Sequence, residues 1–594
     1  MVYEQNWDLD SIFAGGSEST TYASYIENLQ ADVRALFTKV SDPANAGVTE
    51  CAALLTEVQK IASRMRHAGA FVGCLTAQNV KDEQAKLLGG RVRAIGAGFA
   101  SVLTQLDQNL IDLSDEEWAL LLNTPHLKAL QFNLEERRRR AKEKMPTAQE
   151  TLVNDLSVDG YHGWSSLYDT VVGRMTIPIL QDGRTASVSP GQAANMMSSP
   201  DRAFRSHVFA RWEEAWAKEA DFCALALNNL AGYRLSLYRH RKWDDVLYEP
   251  LDYNRMEPKT LAAMWSAIDQ NKARLVKYLE RKKQLLGTGL LSWHDVTAPS
   301  AEGDGKMSFD QAATFIIEQF RRIDPPMADF TAACFAKRWV EAEDRPGKRP
   351  GAFCTTFPEK QESRVFMTFS GTMNNVATLA HELGHAFHQS VMNDLPPMAQ
   401  QYAMNVAETA STFAEVIVAD AAVSQAKSQK EKVLLIEDKL QRAVTLLMNI
   451  ACRFLFETRF YAERSKGPVS KARLNELMVE AQKEAFANSL DEYHPHFWAS
   501  KLHFYNTGVP FYNFPYTFGY LFATGVYAQA AKEGPSFAPK YVALLRDTGS
   551  MKVEDLAMRH LGVDLGEQGF WQAAIDVALS ELDEFLALTE GQQP

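Results

Sequence analysis

The sequence predicts a mainly α-helical protein with two helical lobes and a small β-sheet beside one functional helix. Patterns of helical period dominate the chain; in one of them Val433, Ile436, Leu440 and Val444 fall on a single apolar face. Strand-like runs are few, and neither an internal repeat nor a low-complexity linker is evident. The 594 residues exceed the roughly 250–300 at which one core stops growing, so at least two lobes are expected.

The first predicted lobe, residues 1–199, is helical apart from one hairpin. The charged run 135–144 is mixed in sign and ends before a proline, as a solvated helix would. Residues 175–179 favour a strand, an Asp182-Gly183 turn follows, and residues 185–188 favour its partner. A boundary near Ser199-Pro200 then separates this lobe from residues 200–594, which are expected to carry all the chemistry.

In the second lobe, residues 351–369 contain β-favouring runs, and residues 370–372 are predicted to form a turn. Asn374 or Asn375 is a plausible N-cap for the next helix. Apolar residues recur along that helix at three- and four-residue steps, namely Val376, Leu379, Leu383 and Phe387. Strand, turn and amphipathic helix are therefore expected in that order.

This helix carries the most informative motif of the chain, His381-Glu382-Leu383-Gly384-His385. Histidines four residues apart return to the same helix face about 6 Å further along, so both rings can hold one metal ion. We therefore predict His381 and His385 as ligands of a single zinc ion. Glu382 would stand beside the open coordination position, as a general base next to the attacking water.

A catalytic zinc usually takes a third protein ligand. His388 lies about 10 Å from His381 along the helix, too far to share the ion, so it is predicted to support the ligands, to contact substrate or simply to pack. The metzincin pattern is absent, because His388 and Val391 replace its glycine and histidine. The best third ligand is Glu408, on a predicted helix where Glu415 would accept the free ring N–H of a ligating histidine.

Aromatic residues cluster late in the chain, where Tyr512, Tyr516 and Tyr520 recur every four residues behind His503. Such clusters are often core, but this spacing also allows phenol hydroxyls to line one wall of a cleft. The residues alone leave both readings open.

With these motifs in view, the chain resembles the thimet oligopeptidase and oligoendopeptidase F family of zinc peptidases, and the oligoendopeptidase F branch in particular. The metal helix 378–388 and the helix with Glu408, Ser411 and Glu415 match the family residue by residue. The segments around residues 6–9, 295–299, 351–354 and 562–565 are similar too, so the resemblance runs nearly end to end. One departure is Asn375, where the family often has aspartate.

The resemblance implies two lobes around a deep channel that admits short, unfolded peptides. It also implies that His503 and Tyr520 donate hydrogen bonds to the scissile carbonyl as it becomes an oxyanion, with Tyr516 as the next candidate and Tyr512 in a substrate subsite. The strand near Phe353 or Phe366 is expected to pair with extended substrate, and Phe353 and Gly371 are assigned to substrate binding. The expected activity is zinc-dependent cleavage of internal bonds in oligopeptides.

Composition narrows the other possibilities. The formal net charge is −12, and no basic stripe with interleaved aromatics suggests nucleic acid as a partner. No apolar run reaches membrane length, and the start of the chain lacks secretory features. Six scattered cysteines without metal spacing indicate free thiols and a cytoplasmic location; Cys354 is placed near the active-site strand.

Two other functions remain open at this level. A carboxypeptidase on the same zinc core would need a cationic group for the terminal carboxylate of its substrate. A catalytically silent peptide-binding protein is the alternative that is not an enzyme, and the presence of all four metal-site residues disfavours it. The sequence does not determine the oligomeric state.

Overall fold

The computed structural model describes residues 2–181, 183–300 and 306–592. Over these ranges the protein is mainly helical, as predicted. In chain order the helices are α1 Thr20–Val40, α2 Val48–Gln78, α3 Glu83–Asp112, α4 Asp115–Leu122, α5 Gln131–Lys142, α6 Thr147–Ser157, α7 Gly163–Arg174, α8 Pro190–Met196, α9 Arg202–Arg241, α10 Tyr248–Tyr253, α11 Pro258–Leu285, α12 Phe309–Ile323, α13 Pro325–Ala336, α14 Met373–Ser390, α15 Met404–Ala407, α16 Thr409–Ser424, α17 Gln429–Val444, α18 Ile450–Arg464, α19 Lys471–Ala485, α20 Phe497–Ser500, α21 Phe514–Glu533, α22 Ala538–Asp547, α23 Val553–Leu561, α24 Gln568–Ala578 and α25 Leu582–Leu588.

The strands form two small sheets. β1 Ile177–Gln181 and β2 Arg184–Val188 make the predicted antiparallel hairpin, although Asp182 of its turn lies outside the described residues. The second sheet has the order β3-β5-β4, with β3 Val340–Glu341, β4 Phe353–Phe357 and β5 Glu362–Phe366. β5 pairs in parallel with β3 and antiparallel with β4, so β4 is an edge strand.

The chain folds as two compact units, and each is assembled from three segments. The first unit contains Met1–Lys144, Gly305–Ala421 and Gln529–Gly562, and the second contains Met145–Asp304, Ala422–Ala528 and Val563–Pro594. The boundary expected at 199–200 lies inside the second unit, between α8 and α9. A functional division at that point stays a prediction.

In the first unit, a core of buried aliphatic and aromatic side chains joins α1–α5 to the three-stranded sheet. Phe357 and Phe366 belong to this core, and Trp7 packs on Phe366 with ring centroids 5.6 Å apart. Fully buried Arg364 donates to the Asp8 carbonyl oxygen and so holds the chain before α1 against β5. This packing brings α2 alongside β4.

In the second unit, a buried ion cluster fixes the segment around Asp295. Its carboxylate accepts from Arg205 at 2.9 Å and from Arg202 at 2.8 Å, and neither Asp295 nor Arg205 is exposed. Burial alone raises the pKa of Asp295, but hydrogen bonds from His294, both arginines and the Ser292 N–H hold it well below its usual range. Asp295 is therefore a structural residue of the second unit.

The helices predicted at 135–144 and 433–444 are confirmed by α5 and α17, and the strands predicted within 351–369 by β4 and β5. The N-cap prediction was wrong: Thr372, not Asn374 or Asn375, caps α14 and accepts the Asn375 N–H at 3.2 Å. The Asn375 side chain instead accepts from the Ser370 N–H and hydroxyl. Within the described ranges, no helix has both the length and the apolarity needed to cross a bilayer.

Candidate active site

The predicted zinc ligands come together in the first unit. His381 and His385 lie one turn apart on α14, with their Nε2 atoms separated by 3.2 Å. Oε2 of Glu408 lies 3.3 Å from Nε2 of His381 and 3.5 Å from Nε2 of His385. Among the described residues, this is the one group of three His, Cys, Asp or Glu side chains whose donor atoms converge closely enough for a metal ion.

The sequence predicted a continuous helix around Glu408, but the helix is interrupted at this residue. It occupies the junction between α15 and α16, where the backbone turns out of helical geometry. The Ser411 hydroxyl, fully buried, donates to Oε2 of Glu408 at 2.7 Å and fixes the carboxylate. The interruption allows a carboxylate at the start of α16 to point at the histidines of α14.

Close approach of α16 to α14 depends on Gly384. A Cβ atom at this position would lie 2.5 Å from the Ala410 carbonyl oxygen and 2.7 Å from Cα of Ser411. Real side chains do not tolerate such contacts, so only glycine fits between the two predicted histidine ligands. The glycine is visible within the sequence motif, but nothing in the local sequence indicates that it packs against Ala410 and Ser411 of α16.

Charge and hydrogen bonding favour the forms of these residues that bind metal. Nδ1 of His381 is hydrogen-bonded to a carboxylate oxygen of Glu415, which leaves Nε2 with a free lone pair. Burial lowers the pKa of His385 to about 4, so its ring is neutral near pH 7. Burial alone raises the pKa of Glu408, but both histidines and Ser411 hold it below its ordinary value.

Glu382 lies in the same pocket as the three donors and is 6% exposed. Burial, with a smaller effect from Glu408, raises its pKa to about 7, although His381 opposes the shift. A carboxyl group with such a pKa can both take up and release a proton near neutrality.

The pocket has a volume of about 440 Å³ and one wall formed by the edge strand β4, including Phe353 and Cys354. Other lining residues come from α2, α14 and the segment before α16; they include Arg66, Gln389 and Tyr402. Sequence reasoning missed these three. Gly371, assigned to substrate binding, adopts a φ of +89° in the turn before α14, and its carbonyl oxygen accepts the Met307 N–H.

His388 has the contacts of a packing residue. Its Nε2 lies 2.9 Å from the Thr548 hydroxyl and 3.2 Å from the Leu545 carbonyl oxygen, and its ring stacks on Tyr402. The side chain is fully buried, and burial lowers its pKa to about 3. Of the alternatives considered for His388, these contacts favour packing.

The aromatic residues form a cluster of their own in the second unit. The rings of His503, Tyr512 and Tyr516 lie within 5.3–6.1 Å of one another. Tyr512 precedes α21, so only Tyr516 and Tyr520 have the helical spacing inferred from the sequence. Tyr520 is buried one turn beyond Tyr516, and burial lowers the pKa of His503 to about 4.

The six cysteines are unpaired, as predicted, and all except Cys354 are buried. Cys354 lines the pocket and is only partly exposed. Burial, assisted by the charge of Glu382, raises the pKa of this thiol well above its ordinary value. The group is therefore a protonated, weakly nucleophilic thiol.

Comparison with known proteins gives the family of the chain. The sequence model of Peptidase family M3 matches residues 195–577, more than half of the chain, and that of Oligopeptidase F matches residues 109–177. Oligopeptidase PepF of Bacillus subtilis is 20% identical over 98% of this chain and 87% of its own. An oligoendopeptidase F homolog of Lactococcus lactis is 24% identical over 67% of this chain and 66% of its own.

Solved structures share the fold. One from Chlamydophila abortus superimposes with a TM-score of 0.84 at 19% identity and covers 99% of both chains. Oligoendopeptidase-F from Enterococcus faecium gives a TM-score of 0.71 at 16% identity, with 96% of this chain and 99% of that chain covered. With the family match and the motif helix together, the chain belongs to peptidase family M3 and is an oligoendopeptidase F-like member of it.

Proposed function

We propose that this peptidase is a zinc-dependent oligoendopeptidase that cuts internal bonds of short, unfolded peptides. The observation that carries the proposal is the donor triad. Three donors around a tetrahedral ion with bonds of about 2.05 Å lie about 3.3 Å apart. The three separations here are 3.2, 3.3 and 3.5 Å, so the side chains of His381, His385 and Glu408 fit zinc without rearrangement.

The donor set also has the chemistry that zinc requires. Two imidazoles and one carboxylate leave a coordination position open, as in catalytic rather than structural zinc sites. When bound, zinc supplies Lewis acidity that makes water more acidic and polarises a peptide carbonyl. Glu415 holds His381 in the tautomer that offers Nε2 to the ion.

Glu382 is the general base in this proposal. It takes a proton from the attacking water and later gives it to the leaving amine, two transfers that need a pKa near the working pH. Its buried position in the pocket, beside the three donor residues, supports this assignment.

The edge strand β4 gives a structural reason for broad specificity. β5 occupies one side of β4, and among the described residues no strand pairs with the other. Extended peptides bind such edges through backbone hydrogen bonds, which do not depend on side-chain identity. Of the two strands considered from the sequence, only β4 qualifies, because Phe366 lies on the central strand and is fully buried.

Stabilisation of the oxyanion is assigned to His503 and Tyr520, with Tyr516 next and Tyr512 in a subsite. This assignment rests on the family resemblance. It is supported by the clustering of His503, Tyr512 and Tyr516 and by the helical spacing of Tyr516 and Tyr520. A cytoplasmic location is part of the same proposal, and the unpaired cysteines are compatible with it.

The test uses zinc-loaded wild type and Glu382→Gln with a library of peptides blocked at both ends, read by mass spectrometry. We expect internal cleavage by the wild type and none by the variant, with equal zinc content in both. Glu116→Gln, an exposed carboxylate on α4, is the matched control and should cut normally. Cleavage restricted to peptides with a free C-terminus would instead identify a carboxypeptidase. If Glu382→Gln cut the peptides at the wild-type rate, Glu382 would not be the general base.

A further inference from the structure

The pocket with the donor triad also contains a cation that no carboxylate balances. Arg66, an exposed residue of α2, lines the pocket together with His381, Glu382 and His385. Its Nη2 donates to Oε1 of Gln389 at 2.9 Å and to Oγ1 of Thr356 at 3.2 Å. No Asp or Glu of the described chain pairs with it, so the guanidinium keeps its full charge and the N–H groups on Nε and Nη1 for a ligand.

Arg66 is held in place by buried neutral groups. Gln389 is 2% exposed, and its Nε2 donates to Oε1 of Gln400 at 2.8 Å, which turns Oε1 of Gln389 toward the arginine. Thr356 is a buried residue of β4. A surface arginine free in solvent has no such supports, and neutral acceptors orient a cation without cancelling its charge.

The position of Gln389 sets the distance of this cation from the zinc ligands. Gln389 follows His385 by four residues on α14, which is one helical turn, or about 6 Å along the axis. An extended peptide advances about 3.3 Å per residue. A peptide carboxylate bound by Arg66 would therefore lie a few residues from the bond that is cut.

We propose that Arg66 forms a carboxylate-binding subsite of this peptidase, with the Tyr402 hydroxyl as a second donor. The proposal rests on the proposed function, because it names the chemistry that the same pocket selects. Tyr402 lines the pocket, its hydroxyl has no hydrogen-bond partner among the described residues, and burial raises its pKa to about 12, so it remains a donor. The carboxylate is either an acidic side chain of the substrate or its C-terminus.

Charge in the pocket agrees with an anionic ligand. The carboxylates that line it are Glu382 and Glu408, which the proposed function commits to the base and the metal. Arg66 is thus left without a counter-ion in a chain whose net charge is −12. If Arg66 served only to join α2 to β4 and α14, a neutral side chain of similar length would replace it without changing substrate choice.

The test compares peptides that differ in one carboxylate. Blocked peptides with Glu or Gln are scanned over three positions on each side of the cut bond, and a further pair ends in a free carboxylate or a carboxamide. We expect wild-type kcat/KM to be about tenfold higher for one carboxylate member, since a partly exposed charge-assisted hydrogen bond is worth about that factor. The pair that shows the preference identifies the source of the carboxylate.

The variants separate binding from structure. Arg66→Met should reduce the ratio of kcat/KM between the carboxylate peptide and its neutral counterpart to about one, and Arg66→Lys should keep part of this preference. Arg64→Gln is the control, because Arg64 lies on the same helix but pairs with Asp32 and does not line the pocket. Tyr402→Phe should lower the preference severalfold.

Binding provides a second readout that does not need turnover. In fluorescence anisotropy, zinc-loaded Glu382→Gln protein should bind the preferred carboxylate peptide about tenfold more tightly than its neutral counterpart. The double variant that also carries Arg66→Met should bind the two peptides equally. Equal binding of every pair, or a preference that survives in Arg66→Met, overturns the subsite while leaving the peptidase proposal intact. If Glu382→Gln binds no peptide and wild type cuts none, both proposals fail.

Discussion

Replacing Gly384 by alanine tests how the metal site is assembled. The new Cβ would lie 2.5 Å from the Ala410 carbonyl oxygen, whereas ordinary contacts begin at 3.4 Å, so α16 must retreat from α14 by about 0.9 Å. Both neighbours in this contact are backbone atoms of α16, which cannot rotate away as a side chain can.

That displacement moves Glu408, because it lies at the start of α16. Its Oε2 is now 3.3 and 3.5 Å from the two histidine Nε2 atoms, and zinc sites accept errors of only about 0.2 Å in ligand distance. We expect Gly384→Ala to bind zinc at least 100-fold more weakly and to lose about 1–3 kcal/mol in free energy of unfolding from overpacking.

Zinc affinity is measured by competition with a chromogenic chelator, and unfolding by urea titration of the metal-free proteins. Gly69→Ala is the control, since Gly69 lies inside α2 with open space around it; it should keep full zinc affinity and gain about 0.5–1 kcal/mol of stability. If Gly384→Ala bound zinc as tightly as wild type, contact between the two helices would not set the position of Glu408.

Three further predictions address other parts of the chain. Glu415→Gln should weaken zinc binding about 10- to 100-fold in the same competition assay, because the charge that orients His381 is lost; unchanged affinity would contradict that role. Tyr520→Phe should keep zinc but lose about 100- to 1,000-fold in turnover, and full activity would move the oxyanion role elsewhere. Asp295→Ala should lower the free energy of unfolding by about 3–5 kcal/mol, since Arg205 stays buried without its partner. Because the pKa of Asp295 is depressed in the folded state, the stabilisation by this carboxylate is present at neutral pH and is lost as the pH falls below about 4. The free energy of unfolding of Asp295→Ala should therefore change less with pH in this range than that of wild type.

The parts of this protein that local sequence predicts are those whose physical signal is local. The helix with His381 and His385 follows from the spacing of its apolar and metal-binding residues, and α14 has both on the expected faces. The hairpin of β1 and β2 and the strands β4 and β5 follow from short β-favouring runs bounded by turns. The role of Glu408 as the third ligand stays a prediction, and its carboxylate does lie beside both histidines.

Errors arose where two local signals competed. Thr372 and Asn375 can both cap a helix, and the choice depends on Ser370, whose N–H and hydroxyl take up the Asn375 side chain. At Glu408, apolar spacing suggested an unbroken helix, but the carboxylate reaches the histidines from a break between α15 and α16. At the N-cap a second local hydrogen bond decides the outcome, and at Glu408 the break overrides helix propensity, which is worth less than about 1 kcal/mol per residue.

Arg66 shows why the rest of the site could not be read from sequence. It stands 323 positions before Gln389, on a helix whose sequence pattern indicates only a buried face and a polar face. Its position in the pocket depends on the core that joins α2 to β4, because that core brings the helix beside the strand. The cation proposed to select substrate thus comes from α2, far in sequence from the helix that carries His381 and His385. It follows that substitutions in α2 can alter which peptides are cut while leaving zinc binding and the general base unchanged.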